Sequence, residues 1–164
     1  MTKPRILVTG ATGHTGAVVV DEMRARGFPV RALVRRIDAR SAALERKGVE
    51  VVAADMFDPD QLHDAMRGTR RAYYLPMVSP YALQSAAAFM VSAREAKLEA
   101  VVQMSQWLSH RAHPSQMTRQ TWLIDQLFAM APNISHTIVN PGMFADNFLR
   151  VIDFASLLDR KSVV

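Results

Sequence analysis

Three of the chain's seven glycines stand together in Val8-Thr9-Gly10-Ala11-Thr12-Gly13-His14-Thr15-Gly16, between an apolar run and a helical pattern. Each has a mechanical use at such a junction. Gly10 lets the chain leave a strand in a tight turn, Gly13 lets backbone approach a diphosphate with no Cβ between them, and Gly16 lets the following helix pack closely. That helix would offer its free N–H groups and positive dipole end to phosphates, with Gly10, Thr12, Gly13, His14 and Thr15 supplying the backbone. Glycines also end strands with no ligand in view. At the first strand-to-helix junction of an alternating series they read as a nucleotide loop.

Nineteen residues after Gly16 come Arg35 and Arg36, at the carboxyl end of a second apolar run. A site for NAD(H) normally presents a carboxylate here to the ribose 2′-hydroxyl. Arginine instead meets a 2′-phosphate with a planar, charge-assisted contact. NADP(H) is therefore the favoured cofactor and NAD(H) the alternative. Asp38 would be the ribose carboxylate if the strand ended later than Val34.

Positioning these groups requires strands and helices in strict alternation. Strands are expected at Ile6–Thr9, Val30–Val34, Val49–Ala53, Ala72–Leu75, Ala100–Met104 and Ile134–Val139. Between them fall helices over His14–Arg26 (apolar at Ala17, Val18, Val20 and Met23), Ser41–Lys47, Pro59–Met66, Pro80–Lys97 (Leu83, Ala87, Met90, Val91) and Thr118–Met130. A further amphipathic helix is expected over Phe144–Leu158. Right-handed crossovers then give a doubly wound α/β fold, a six-stranded parallel sheet in the order 3-2-1-4-5-6, as one domain over residues 1–164.

The string TGATGHTG has the G-x-x-G-x-x-G spacing of short-chain dehydrogenases and reductases, and it resembles their atypical NmrA-like branch. Asp55 and Asp58 resemble that family's acidic turn after the third strand, near the adenine. Asn140-Pro141-Gly142-Met143-Phe144-Ala145-Asp146-Asn147 resembles its P-G-x-F-x-x-N segment. The resemblance runs from Arg5 to about Phe154 and implies a Rossmann-like cofactor domain. On this reading the cofactor contacts extend to Asp55, Met56, Pro76, Pro141 and Gly142. Family members usually continue into a small substrate lobe that this chain lacks after Leu158, so the expectation is a truncated or a minimal version.

One departure bears on chemistry. Typical short-chain dehydrogenases use a tyrosine with a lysine four residues on, the cation making the phenol a better acid or base. Here Tyr73, Tyr74 and Tyr81 are followed at that spacing by Met77, Val78 and Ser85. Ser105 does match the serine that polarises a carbonyl, although a strand-end cap would look the same. Met77, Trp107, Met143 and Phe144 all fall just past strand ends, where an open parallel sheet holds its ligand, and would make an apolar substrate wall.

Two functions fit. One is an NADPH-dependent reductase of a quinone-like acceptor, which needs little proton help. The other is a non-catalytic sensor of NADP(H) acting through a protein partner. Nucleic-acid binding is unlikely: the +5 net charge, at a pI near 10.1, is concentrated between Arg24 and Lys47, with no interleaved aromatics. With no cysteine, disulfides and thiolate metal sites are excluded, and His110 and His113 read as a polar loop, leaving no metal site. No stretch is apolar enough to span a membrane or act as a signal peptide, so the default location is cytoplasmic. The apolar residues of the last helix spread beyond one stripe, which suggests a homodimer.

Overall fold

Short runs rich in β-branched residues suit strands buried on both faces. The computed structural model describes residues 2–145 and joins six such runs in one parallel sheet. The strands are β1 (Ile6–Thr9), β2 (Val30–Val34), β3 (Glu50–Ala53), β4 (Arg71–Tyr74), β5 (Ala100–Met104) and β6 (Ser135–Val139). Five helices alternate with them: α1 (His14–Ala25), α2 (Ala39–Arg46), α3 (Pro59–Met66), α4 (Ala82–Glu95) and α5 (Gln116–Ala129). The strand order is β3-β2-β1-β4-β5-β6, as expected, with the topological switch between β1 and β4. Register runs straight across the switch, Val8 lying between Ala32 and Tyr73. The crevice outside the carboxyl ends of β1 and β4 is where such sheets hold ligands.

Alternation along each strand feeds two cores. On one face Leu7, Leu33, Tyr74 and Val101 pack against Leu62, Phe89, Ile124 and Phe128 of α3, α4 and α5. Tyr74 stands 4.6 Å from Phe89 and 5.0 Å from Phe128 between ring centroids. On the other face Ile6, Val8, Val30 and Ala32 pack against Val20 of α1 and Leu44 of α2.

Helix faces differ in part from the sequence reading. Val18 is 62% exposed while Val20 is buried. In α4 the buried side is Ala82, Ser85, Ala86, Phe89, Met90, Ser92 and Ala93, and Val91 faces out. The two serines are tolerated there because each donates its hydroxyl to a carbonyl, Ser85 to Ala82 and Ser92 to Pro59 and Ala88. Helix α2 starts two residues early because Asp38 and Ser41 form a reciprocal capping box. Arg31, counted above with the basic stretch, is buried in β2. It donates to the carbonyls of Ala65 and Arg67 at 2.7 and 2.6 Å and pairs with Glu50 at 2.7 Å, closing the end of α3. The helix expected over Phe144–Leu158 lies outside the described residues from position 146 onward, and so does the dimer argued from it. Among the described residues no helix is long and apolar enough to cross a membrane.

Candidate functional site

The glycine loop leaves β1 through Gly10, whose φ of +64° is in the left-handed region. A Cβ there would also stand 2.8 Å from Leu75 Cδ2. Gly16 has a harder constraint, because a Cβ on it would lie 2.2 Å from the Gly10 carbonyl oxygen and 2.6 Å from the Gly10 carbonyl carbon. Its close partner is thus the loop itself rather than the sheet. Gly13 donates its N–H to Gly10 O at 2.9 Å and is the N-cap of α1, with no side-chain hydrogen bond to the first turn. The N-cap residue thus places no side chain over the N–H groups of this turn. Gly13 and His14 are exposed, and Thr12 and Thr15 are half-buried.

Thr9 fastens this loop to the next strand end, a tie that sequence reading passed over. Its hydroxyl oxygen accepts the Leu75 backbone N–H at 2.8 Å, joining the end of β1 to the segment after β4. Pro76 and Met77 follow directly and line a cleft of about 250 Å³ at the carboxyl ends of β4 and β5. Ser105 and Phe144 line the same cleft, with Met104, Met117 and Thr121 among its other walls. Of the four residues expected to wall off substrate, Met77 and Phe144 are therefore in the cleft. Trp107 and Met143 are not among its lining residues, and they are 63% and 64% exposed. The P-G segment is held by the loop after β5: Ser105 N–H donates to Val139 O at 2.8 Å, and Trp107 N–H to Pro141 O at 3.0 Å. A Cβ on Gly142 would meet nothing within 4 Å.

At the end of β2 the strand stops at Val34, and Arg35 and Arg36 are exposed beyond it. Neither pairs with a carboxylate among the described residues. Asp38 is already committed. It accepts from the N–H groups of Arg40 and Ser41 and pairs with the Arg40 guanidinium at 3.0 Å, and these bonds, Ser41's first, hold its carboxyl below the usual range. Much of the remaining basic stretch forms local pairs, Arg26 with Glu22 and Lys47 with Asp21. After β3, Asp55 is exposed, its side chain accepting from Phe57 N–H, and Met56 beside it is half-buried. Asp58 caps α3 through the N–H groups of Asp60 and Gln61.

Ser105 is 9% exposed, and its hydroxyl donates to the Asp125 carboxylate at 2.8 Å. Asp125, on α5, is itself 6% exposed and also accepts from Gln103 Nε2 at 2.6 Å and from the Ser109 hydroxyl. Nothing in the sequence reading singled it out. The available signal was a polar stripe, Thr118, Thr121 and Asp125, at helical spacing along the helix.

None of the three tyrosines lines this cleft. Tyr73 and Tyr74 are buried in β4, and burial pushes both phenols up, Tyr74 to about 12. Tyr81 is exposed and packs edge-on against Phe57. Among the described residues no group of His, Asp or Glu could hold a metal, and His110 and His113 each accept a backbone N–H two residues on.

The fold is shared with proteins of known structure. Triphenylmethane reductase of Citrobacter sp., solved with NADP(H), superposes with a TM-score of 0.78 at 22% identity, over 89% of this chain and 54% of that one. An NADPH-dependent quinone oxidoreductase of Escherichia coli, solved with NADPH, gives 0.78 at 23% identity, over 88% and 51%. By sequence, the NAD(P)H azoreductase of Xenophilus azovorans is 27% identical over 157 residues, 88% of this chain and 50% of that protein. The chain thus spans about half the length of these relatives. The family model for the NmrA-like family matches residues 2–112, from the glycine loop through the serine after β5. That match covers more than half of the chain, and the chain belongs to the NmrA-like family.

Proposed function

We propose that this chain binds NADP(H) and belongs to an NADPH-dependent reductase whose acceptor is quinone-like or similarly apolar. The observation that carries the reading is adjacency. Thr9 ties an anion-ready glycine loop, at the switch of the sheet, to Leu75 on the wall of the neighbouring apolar cleft. The residues fit the cofactor: Gly13 puts no side chain on the first turn of α1 and keeps backbone accessible, and beyond β2 two exposed arginines pair with no carboxylate among the described residues. Gly10, Thr12, Gly13, His14, Thr15 and Gly16 would hold the diphosphate, and Arg35 and Arg36 the 2′-phosphate. Asp55 and Met56 would lie by the adenine, with Pro76, Pro141 and Gly142 completing the site. The relatives named for azo, quinone and dye reduction support the class of acceptor.

When bound, the nicotinamide supplies hydride. The chain's own part is to orient the acceptor between Met77 and Phe144 and to keep water from it. No tyrosine is placed to move a proton, so acceptors that take protons readily from water are favoured over plain ketones. That same lack supports the second reading, a non-catalytic NADP(H) sensor with a protein partner. Following NADPH oxidation with a panel of quinones separates the two. Turnover of quinones with feeble activity on alcohols fits the reductase. Cofactor binding with no turnover of any quinone by the full-length protein fits the sensor.

A further inference from the structure

The buried Asp125 fixes which way the hydroxyl of Ser105 can work. A carboxylate accepts hydrogen bonds and donates none. Asp125 faces three donors, Gln103 Nε2, Ser105 Oγ and Ser109 Oγ, and among the described residues it pairs with no cation. Ser105 has one hydroxyl proton, and it is directed at Asp125 Oδ2. What Ser105 turns to the cleft is therefore lone-pair density. Polarising an acceptor's carbonyl would require taking the proton from a buried charge, which is a stronger bond than a neutral carbonyl offers in return.

We propose that Asp125 is a positioning residue that makes Ser105 a hydrogen-bond acceptor, so that the cleft selects ligands presenting a hydroxyl or N–H donor. Phenols and hydroquinones, which are the reduced form of a quinone acceptor, belong to this class. The cleft then holds the product's hydroxyl, or a donor group beside the reacting carbonyl, in preference to the carbonyl itself. Its apolar walls, Met77, Met104 and Phe144, suit an aromatic body on that donor. The proposal deepens the reading of this cleft as the acceptor's site and rests on it.

A paired binding measurement tests the idea without turnover. β-Naphthol carries a donor, and β-naphthyl methyl ketone carries only an acceptor on the same ring system. Titrating each into the full chain, with and without NADPH, and following tryptophan fluorescence or calorimetry gives a preference ratio. The expectation is naphthol ahead by about 2- to 10-fold, the span of one ordinary hydrogen bond. Ser105→Ala should bring the ratio to about one. Asp125→Asn, which offers a donor in place of one acceptor oxygen, should lower or reverse it. Ser109→Ala, which leaves the Asp125–Ser105 bond in place, should keep it. Circular dichroism on each variant confirms folding, and should Asp125→Asn fail to fold, the serine variants still decide.

Equal binding of the two probes, a preference for the ketone, or a ratio unmoved by Ser105→Ala would overturn the proposal. So would the failure of both probes to bind at millimolar concentration. NADPH titration of the same samples reports separately on the cofactor reading, so the two can fail independently.

Discussion

Substituting alanine at Gly16 and at Gly13 separates what the glycine loop does for folding from what it does for binding. At Gly16 the new Cβ would lie 2.2 Å from Gly10 O and 3.0 Å from Ala11 Cα, all backbone and none able to rotate away. The first of these is more than an ångström inside a comfortable contact of roughly 3.5 Å. The first turn of α1 must lift off the loop, and overpacking of this kind costs about 3 kcal/mol. For a chain of this size that lowers the melting temperature by roughly 6–12 °C. At Gly13 the nearest atom is Gly10 O at 3.3 Å, a contact relieved by a shift of a few tenths of an ångström. Gly13→Ala should therefore melt within about 3 °C of the parent, since N-cap exchanges of this size stay near 1 kcal/mol. It should nevertheless bind NADPH at least about tenfold more weakly, because the methyl stands where backbone would meet the diphosphate. Scanning calorimetry and nicotinamide fluorescence read the two quantities. A Gly16→Ala protein that melts with the parent, or a Gly13→Ala protein with full NADPH affinity, would refute this account of the loop.

Other expectations follow from the same geometry. Arg31→Met removes the bonds to the Ala65 and Arg67 carbonyls and leaves Glu50 to its longer pairing with Arg5 at 3.4 Å, which should cost about 2 kcal/mol in chemical denaturation. The hydrogen bond from Arg31 holds the Glu50 carboxyl below its ordinary 4.5. A lowered folded value means the contribution is complete above 4.5 and is lost as pH falls through the lower folded value. The parent should therefore lose more stability on acidification than Arg31→Met does, and parallel pH profiles for the two would contradict the pairing. Replacing both Arg35 and Arg36 with alanine should weaken NADPH by roughly 10- to 150-fold while sparing NADH, measured by paired titration. If that preference survives, Arg40 becomes the next residue to test, although its pairing with Asp38 argues against it.

Much of the fold was legible because its signals are local. Strands β1, β2 and β5 and helix α3 fall on the residues that the apolar runs and the Asp58-Pro59 start indicated. The glycine string and strand order together placed the switch of the sheet. The site was legible only at its loop and strand ends. Thr9 reads as an ordinary strand residue, and only the parallel partner β4 brings Leu75 to its hydroxyl. Asp125 reads as a solvated charge on α5, and burial becomes affordable only when Gln103, Ser105 and Ser109 converge on it from the end of β5. The α4 stripe was right at Met90 and Leu83 but missed Ser85 and Ser92, which count as polar in a periodicity yet both satisfy themselves inside the core. Trp107 and Met143 sit past strand ends as the cleft requires, but the sequence carries no sign of where their side chains turn.

Paired titration of the chain with NADPH and NADH, followed by nicotinamide fluorescence, tests the central claim most directly. The loop, its glycine N-cap and the two arginines with no carboxylate partner among the described residues predict that both bind, with NADPH tighter by roughly tenfold or more. Binding of neither nucleotide would contradict the site itself. Equal affinities, or a preference for NADH, would contradict the assignment of Arg35 and Arg36 to the 2′-phosphate.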